Sequence, residues 1–216
     1  HLKRLHLADD HDNAEISWCE IGNLGAVWAK LPALEWLRVR GVGVSLGEIQ
    51  GDKLRVIKLH SGGLPAEPSQ RISAATLPAL EDLEIWFGTD NYGANTTIED
   101  LRGILGGQGL PKLKRLGLMN GEFMDEIAAA VVTAPITRQL ETLDLSMGTM
   151  RAEGGRALIA GAERLKHLES LEVGQNFIPS EVTAELRRVL PQSRVRGQDM
   201  PEEWSGEVYY YVSVAE

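Results

Sequence analysis

Apolar residues recur along the chain in one spacing, L-x-x-L-x-L, with conservative replacements of leucine. Seven segments carry this spacing, at Leu2-Leu5-Leu7, Leu34-Leu37-Val39, Leu54-Ile57-Leu59, Leu80-Leu83-Ile85, Leu113-Leu116-Leu118, Leu140-Leu143-Leu145 and Leu168-Leu171-Val173. The first leucines of successive segments are 32, 20, 26, 33, 27 and 28 residues apart. The last two apolar positions of each segment lie two residues apart, as side chains on one face of a strand do. The pattern therefore predicts seven strands.

The intervals between these segments mostly carry the spacing of amphipathic helices. Thr96 to Leu105 begins with a capping box, Thr96-x-x-Glu99, in which each side chain bonds a free backbone N–H of the other residue. The other apolar stripes are Leu24-Val27-Trp28-Leu31, Met124-Ile127-Val131, Leu158-Ala162-Leu165 and Val182-Leu186-Val189, the last capped by Ser180. The interval 44–53 is too short for a full helix and predicts a loop or a single turn.

A strand and a helix that recur mostly every 26–33 residues are typical of a leucine-rich-repeat solenoid. One unit has too little apolar surface to form a core, so neighbouring units must stack. We therefore predict an α/β fold of about seven repeats over residues 1–196, a horseshoe with a parallel concave sheet and helices on the convex side. Repeats of this length with helical backs resemble the ribonuclease-inhibitor-like type.

Residues 197–216 predict a C-terminal capping tail with a short strand. Apolar side chains between Val208 and Val214 alternate with the period of a strand. The last repeat of a solenoid exposes the apolar edge of its stack unless something covers it. We expect the tail to pair with, or cover, an edge strand near Arg194 and Val195. The alternative is a short peptide that is presented to a partner, since chain termini are often loose unless they are tied down.

Four stretches of the chain resemble one protein family: LPALEDLEIWFGTDNYG, LKRLGLMNGEFMDEIAAAV, LETLDLSMGTM and YYYVSVAE. They are similar to a family of bacterial, cytoplasmic leucine-rich-repeat proteins. The resemblance covers nearly the whole chain from about Asn13 onward and implies a further N-terminal region. It also implies a non-enzymatic interaction role, and it brings no catalytic residues to this sequence.

Charge and cysteine content narrow the classes of function. The chain has 22 Lys and Arg against 31 Asp and Glu, a net charge of −9 shared by both halves, which argues against nucleic acid or an anionic membrane as the partner. Cys19 is the single cysteine, so the chain forms no internal disulfide, and we expect a reducing compartment, the cytoplasm. The longest apolar run, 127–136, is too short to span a bilayer.

Residue types that bind metals or catalyse reactions occur without the spacing that such sites need. His6 and the run 9–12 (Asp-Asp-His-Asp) match no standard metal pattern, and an Asp-rich run after a strand is typical of a polar turn. Cys19 stands beside Trp18 in an apolar stretch, where a buried thiol is expected to act as a small hydrophobe. We therefore predict no catalytic residues, no metal site and no cofactor.

The x positions of the repeated segments point away from the buried leucines and align from strand to strand. The predicted middle row consists of His6, Arg38, Lys58, Glu84, Gly117, Asp144 and Glu172, and it runs from basic to acidic. Beside it we place Trp36, Trp86, Phe87, Met119 and Met147, since aromatic and Met side chains are enriched in interface cores. These residues form the predicted partner-binding surface, with Trp36 and Trp86 as anchors. The alternative is that Trp86 and Phe87 turn inward and the charge order is accidental.

Three classes of function follow from this surface. The pattern favours a non-enzymatic module that binds a protein or peptide on its concave face. Arg38 and Lys58 are then expected to contact acidic partner groups, and Asp144 and Glu172 basic ones. The alternative is an accessory or regulatory subunit that docks onto an enzyme. A small-molecule enzyme would need a deep pocket with perturbed titratable groups, which an open horseshoe seldom forms.

Overall fold

The computed structural model describes residues 1–8 and 15–216, and its fold is α/β. Within these residues, eight parallel strands form one open sheet in chain order: β1 (Arg4–Leu7), β2 (Trp36–Arg40), β3 (Val56–His60), β4 (Asp82–Gly88), β5 (Arg115–Gly121), β6 (Thr142–Asp144), β7 (Ser170–Glu172) and β8 (Ser193–Arg194). Two further strands, β9 (Glu202–Trp204) and β10 (Glu207–Tyr209), form an antiparallel hairpin. All seven predicted segments form strands, and the predicted parallel pairing is confirmed.

Seven α-helices lie in the described part of the chain: α1 (Gly25–Lys30), α2 (Ala66–Ala74), α3 (Arg102–Gly106), α4 (Met124–Thr133), α5 (Ala152–Ala160), α6 (Ala162–Leu165) and α7 (Ser180–Val189). Short 3-10 helices span Ile16–Trp18, Asp90–Tyr92, Ile98–Leu101 and Pro135–Gln139. The interval 44–53 between β2 and β3 contains no helix, as its length predicts.

The core lies between the helices and one face of the sheet. The central apolar residues of β2 to β7 pair in register from Leu37 to Leu171 and are almost fully buried. Ile72 of α2, Ile127 of α4 and Leu186 of α7 belong to the same cluster of buried residues. Each fully buried aliphatic side chain contributes about 1.5–3 kcal/mol, so this layer dominates the stability of the fold.

Two predicted helix starts are shifted by one residue. The capping box before α3 joins Thr97 and Asp100, because Thr96 is buried and its hydroxyl donates to the carbonyl of Leu64. Ser180 is the first residue of α7 instead of its N-cap, a position that Pro179 takes. Since proline has no N–H and a fixed φ, it precedes a helix without losing a hydrogen bond.

Asn176, which closes the last predicted repeat, joins two neighbouring repeats through their backbones. It is fully buried, and its Nδ2 donates to the carbonyls of Leu145 (2.9 Å) and Val173 (3.2 Å). Its Oδ1 accepts from the amide of Met150 (3.0 Å). The side chain therefore satisfies backbone groups of the turns after β6 and β7, and it shares the carbonyl of Val173 with the carboxamide of Gln198.

The tail, residues 210–216, returns across the carboxyl ends of the strands. It contacts Asn120 near the end of β5 and three residues outside the strands: Phe177 after β7, Met147 after β6 and Ser17 in the first 3-10 helix. The predicted pairing of the tail with the edge strand near Arg194 is wrong. Strand β8 has only two residues and offers little edge, whereas the end of β5 and the turn after β6 present a carboxamide and a carbonyl to the tail.

Candidate interaction surface

The side chains that point away from the core form what we call the outer face of the sheet. Its middle row pairs in register, strand by strand, through His6, Arg38, Lys58, Glu84, Gly117, Asp144, Glu172 and finally Arg194. This alignment is the predicted one, with Arg194 added at the end. Parallel pairing of equivalent positions explains it, because one repeated spacing puts the same position of each strand at the same height.

Two rows flank the middle row. The first row contains Trp36, Val56, Asp82, Arg115, Thr142 and Ser170, and the third contains Arg40, His60, Trp86 and Met119. The ring of Trp36 stacks on His6 with centroids 4.1 Å apart, and that of Trp86 stacks on His60 at 4.0 Å. Both Trp side chains are half-buried, so flat apolar surfaces stand beside the charged row.

Glu84 is held in its charged form by two neighbours. Its Oε2 accepts a hydrogen bond from Nζ of Lys58 (2.6 Å), and its Oε1 lies 2.6 Å from Nε2 of His60. Burial alone would raise the pKa of Glu84, but the hydrogen bonds and charges of His60 and Lys58 outweigh burial and lower the pKa to about 2. Glu84 and Lys58 therefore largely satisfy each other.

The surroundings of Asp144, in the same row, shift its pKa in the opposite direction. Burial raises its pKa above the ordinary value, and the nearby carboxylates of Glu172 and Glu84 raise it further. The backbone N–H and hydroxyl of Ser146, 3.0 and 2.6 Å from Oδ1, oppose this effect only in part. A cation brought to Asp144 from outside would stabilise its ionised form.

A recess separates these two carboxyl groups, since the residue between them in the middle row is Gly117. It has a volume of 150 Å³ and is also lined by Asp82, Arg115 and Thr142. Neighbouring strands lie about 4.8 Å apart, so the Cα atoms on either side of the recess are separated by about 10 Å. Pockets for small-molecule ligands are larger, about 300–1,000 Å³, so the recess suits one side chain of a partner.

Three of the predicted surface residues lie elsewhere or are shielded. Phe87 is 1% exposed and belongs to the core, where its ring lies 5.0 Å from that of Phe123. The placement of Phe87 on the outer face is therefore wrong, because consecutive residues of a strand point to opposite faces and Trp86 takes the outer one. Met147 follows β6 outside the rows, and its carbonyl accepts the amide of Ser213. Met119 belongs to the third row and is almost fully buried.

Sequence reasoning missed Arg194 as a member of the row. Its Nη1 donates to Oε1 of Glu172 (2.8 Å), which also accepts from the hydroxyl of Ser170 (2.8 Å). An edge strand is predicted near Arg194, but three alternating residues, Ser193 to Val195, are too few to set its register against the middle row.

The predictions about metal ligands, Cys19 and membrane spanning can be compared with the described residues alone. Within residues 1–8 and 15–216, no group of three or more His, Cys, Asp or Glu side chains is placed to hold a metal ion. The run 9–12 lies outside the described residues. Cys19 is a free thiol and is half-buried instead of buried. Among the described helices, none combines the length and the apolar character that crossing a bilayer requires.

The chain matches no protein-family model and no curated protein. Its fold is similar to that of a Bacteroides fragilis protein whose crystal structure was solved by a structural genomics consortium, with a TM-score of 0.79 and 28% sequence identity. The similarity covers 94% of this chain, which spans only 57% of the Bacteroides protein. This likeness supports the fold and assigns no activity.

Proposed function

We propose that the chain is a leucine-rich-repeat solenoid of the ribonuclease-inhibitor-like type and acts as a non-enzymatic module, with the outer face of its sheet concave and docking a protein or peptide partner. Eight parallel strands in chain order with helices between them support the architecture. The single cysteine supports a reducing compartment such as the cytoplasm.

One observation carries the docking proposal: the aligned middle row opens at Gly117, beside a carboxyl group whose pKa is raised. Lys58 is engaged by Glu84, and Glu172 by Arg194, so these groups gain less from a partner than Asp144 does. A Lys or Arg side chain of the partner that enters the recess would supply the cation that Asp144 needs. The stacked Trp36 would flank such a basic segment on the same face, because interface hot spots favour Trp.

Selection from a peptide-display library on the immobilised chain, followed by titration calorimetry with the recovered peptides, tests this proposal. We expect recovered peptides to be basic, and Asp144→Lys to weaken their binding at least about tenfold, since like charges oppose docking. The matched control is Glu163→Lys on α6, whose side chain is 86% exposed, away from the outer face. Equal affinities of both variants, or acidic recovered peptides, would contradict the proposal.

The raised pKa of Asp144 also predicts how binding depends on pH. A protonated Asp144 is neutral and does not attract a cation, so affinity for a basic peptide should increase as pH rises through the pKa of Asp144. Asp144→Asn should remove this dependence while keeping the side-chain shape. Calorimetric titrations over a series of pH values, from acidic to neutral, would measure it, and an unchanged profile in Asp144→Asn would place the cation elsewhere.

A further inference from the structure

The tail lies in a groove formed by the carboxyl end of β5 and the turn that follows β6. The amide of Ser213 donates to the carbonyl of Met147 (2.9 Å). The side chain of Asn120 then makes two hydrogen bonds with the backbone of Val214: Nδ2 donates to the carbonyl (2.6 Å), and Oδ1 accepts from the N–H (2.9 Å). All three bonds go to main-chain atoms of the tail, and an extended segment of another sequence offers the same atoms.

Beyond Val214 the tail continues toward the turn that follows β3. The hydroxyl of Ser17 donates to the carbonyl of Ala215. The same carbonyl would stand 2.3 Å from a Cβ added to Gly62, so the groove admits the tail backbone only because residue 62 has no side chain. Such backbone-to-backbone contacts depend on the backbone conformation of a bound peptide more than on its side chains.

Asn120 is a buried residue whose side-chain hydrogen bonds go to the tail. It is fully buried, and its φ of +55° lies in the left-handed region, where residues other than glycine are uncommon. A buried carboxamide needs hydrogen-bond partners, and the bonds of both its polar atoms go to the tail. Met147 and Gln175, at the equivalent positions of the next two repeats, have the same backbone conformation, so the carboxamide and its bonds to the tail are what distinguish Asn120.

The other attachments of the tail lie at its two ends, where Tyr210 contacts Phe177 and Arg151 and the carboxylate of Glu216 accepts from the hydroxyl of Tyr92. Val212 is the one buried residue of the tail, 8% exposed, and Tyr211 is 55% exposed. The hairpin β9–β10, which leads into the tail, is exposed at nearly every position. Few buried apolar contacts and an exposed connection are the features of segments that open locally without unfolding the core.

We propose that this groove is a binding site for an extended peptide segment, and that residues 212–216 occupy it in cis as a competing ligand. A partner segment is recognised through its main chain by Asn120 and Met147, with a small or β-branched side chain at the position of Val212. The site is separate from the recess at Gly117 and does not depend on the function proposed for the outer face.

The test uses the full-length chain with its own tail disabled. Val214→Pro removes the N–H that Asn120 binds, and it leaves every residue of the groove unchanged. A fluorescent synthetic peptide of residues 207–216 is titrated with both chains by anisotropy. We expect the Val214→Pro chain to bind this peptide at least about tenfold more tightly than the wild-type chain, whose groove is filled by its own tail. A matched peptide that carries the same proline should not bind.

A second substitution separates the clamp from nonspecific association. Asn120→Gly keeps the left-handed backbone conformation and removes the carboxamide, so adding it to Val214→Pro should abolish peptide binding. A folded Val214→Pro chain that fails to bind the peptide, or binds it equally with Asn120→Gly, would overturn the proposal. If Val214→Pro does not unfold cooperatively, hydrogen exchange of the wild-type chain decides. The proposal requires the amides of Ser213 and Val214 to exchange faster than those of β5, and equal rates would overturn it.

Discussion

Glu84 and Asp144 show at the scale of single residues how neighbours set the ionisation of two carboxyl groups in one row. Both are largely buried, which alone would raise the pKa of each. Glu84 meets Lys58 and His60 on the adjacent strand, and its pKa falls to about 2. Asp144 meets the hydroxyl and N–H of Ser146 and further carboxylates, and its pKa rises. Burial therefore decides the direction of the pKa shift of Asp144, whereas the cationic neighbours of Glu84 reverse the effect of burial.

The lowered pKa of Glu84 predicts a pH dependence of stability. Because the pKa is about 2 in the folded chain and about 4.5 otherwise, the contribution of ionised Glu84 is complete above pH 4.5 and is lost as pH falls toward 2. Its ceiling is about 3 kcal/mol, at about 1.4 kcal/mol per pKa unit. Glu84→Gln should lower the free energy of unfolding at pH 7 and flatten its slope between pH 4.5 and 2. Urea unfolding measures both, with exposed Glu163→Gln as the control, and an unchanged slope would refute the assignment.

Asn176 supports a prediction of its own. Asn176→Ala removes the Asn176 partner of the carbonyl of Leu145 and of the amide of Met150, whereas the carbonyl of Val173 keeps its bond from Gln198. Since each unsatisfied buried group costs about 1–3 kcal/mol, we expect a loss of at least about 2 kcal/mol. Chemical denaturation measures it against Asn91→Ala, at an exposed position, which should stay within about 0.5 kcal/mol of the parent. Similar losses in both variants would contradict the role of Asn176.

At the scale of elements, the strands are stabilised more by their buried, in-register apolar residues from Leu37 to Leu171 than by their own length. Strands β6 and β7 have three residues each, yet Leu143 and Leu171 within them are fully buried and paired in register. The helices are also short, six to ten residues apart from α3 and α6, and isolated helices of this length are marginal in water. Each element therefore forms because its apolar face packs on its neighbours.

Leu143→Ala tests this dependence on packing. We expect it to lower the free energy of unfolding by about 2–5 kcal/mol, as for a buried leucine that leaves a cavity. Leu2→Ala is the matched control, since Leu2 is 48% exposed and should lose far less. Urea denaturation gives both values. A loss below about 1 kcal/mol at Leu143 would mean that the residue does not hold the layer together.

At the scale of the whole molecule, stability should vary along the sheet. Strands β4 and β5 have seven residues each and pair on both sides, whereas β1 and β8 lie at the two ends of the sheet. Leu5 and Leu7 of β1 are accordingly only half-buried, although equivalent leucines in the centre are fully buried. In proteins whose units contact mainly their neighbours, the end units have the fewest stabilising interfaces.

Native-state hydrogen exchange measures this gradient directly. We expect the amides of β4 and β5 to exchange most slowly and those of β1 and β8 to exchange fastest among the sheet strands, because end strands open without disturbing the centre. Exchange at one uniform rate across the sheet would instead show that the whole sheet unfolds as one cooperative unit. That outcome would contradict the expectation that the end strands open independently of the central strands.

Much of the fold and part of the surface can be predicted from the sequence. The seven strands, their parallel order and the middle row from His6 to Glu172 follow from one repeated spacing. Two helix starts are shifted by one residue: Thr97 replaces Thr96 as the N-cap because the hydroxyl of Thr96 bonds the neighbouring repeat, and Pro179 takes the N-cap position predicted for Ser180. The placement of Phe87 on the outer face is wrong, because Phe87 directly follows Trp86 and consecutive residues of a strand point to opposite faces.

What the sequence by itself determined is the part that depends on local periodicity: a backbone alternates its side chains, and a repeated alternation stacks equivalent residues in rows. What only the tertiary structure decided depends on groups far apart in the chain. The tail finds its place through Asn120, which lies 94 residues before Val214. The opposite pKa shifts of Glu84 and Asp144 depend on which charges the neighbouring strands bring near them. Such contacts cannot be predicted from spacing along the chain, because burial and electrostatic effects depend on which residues are close in space.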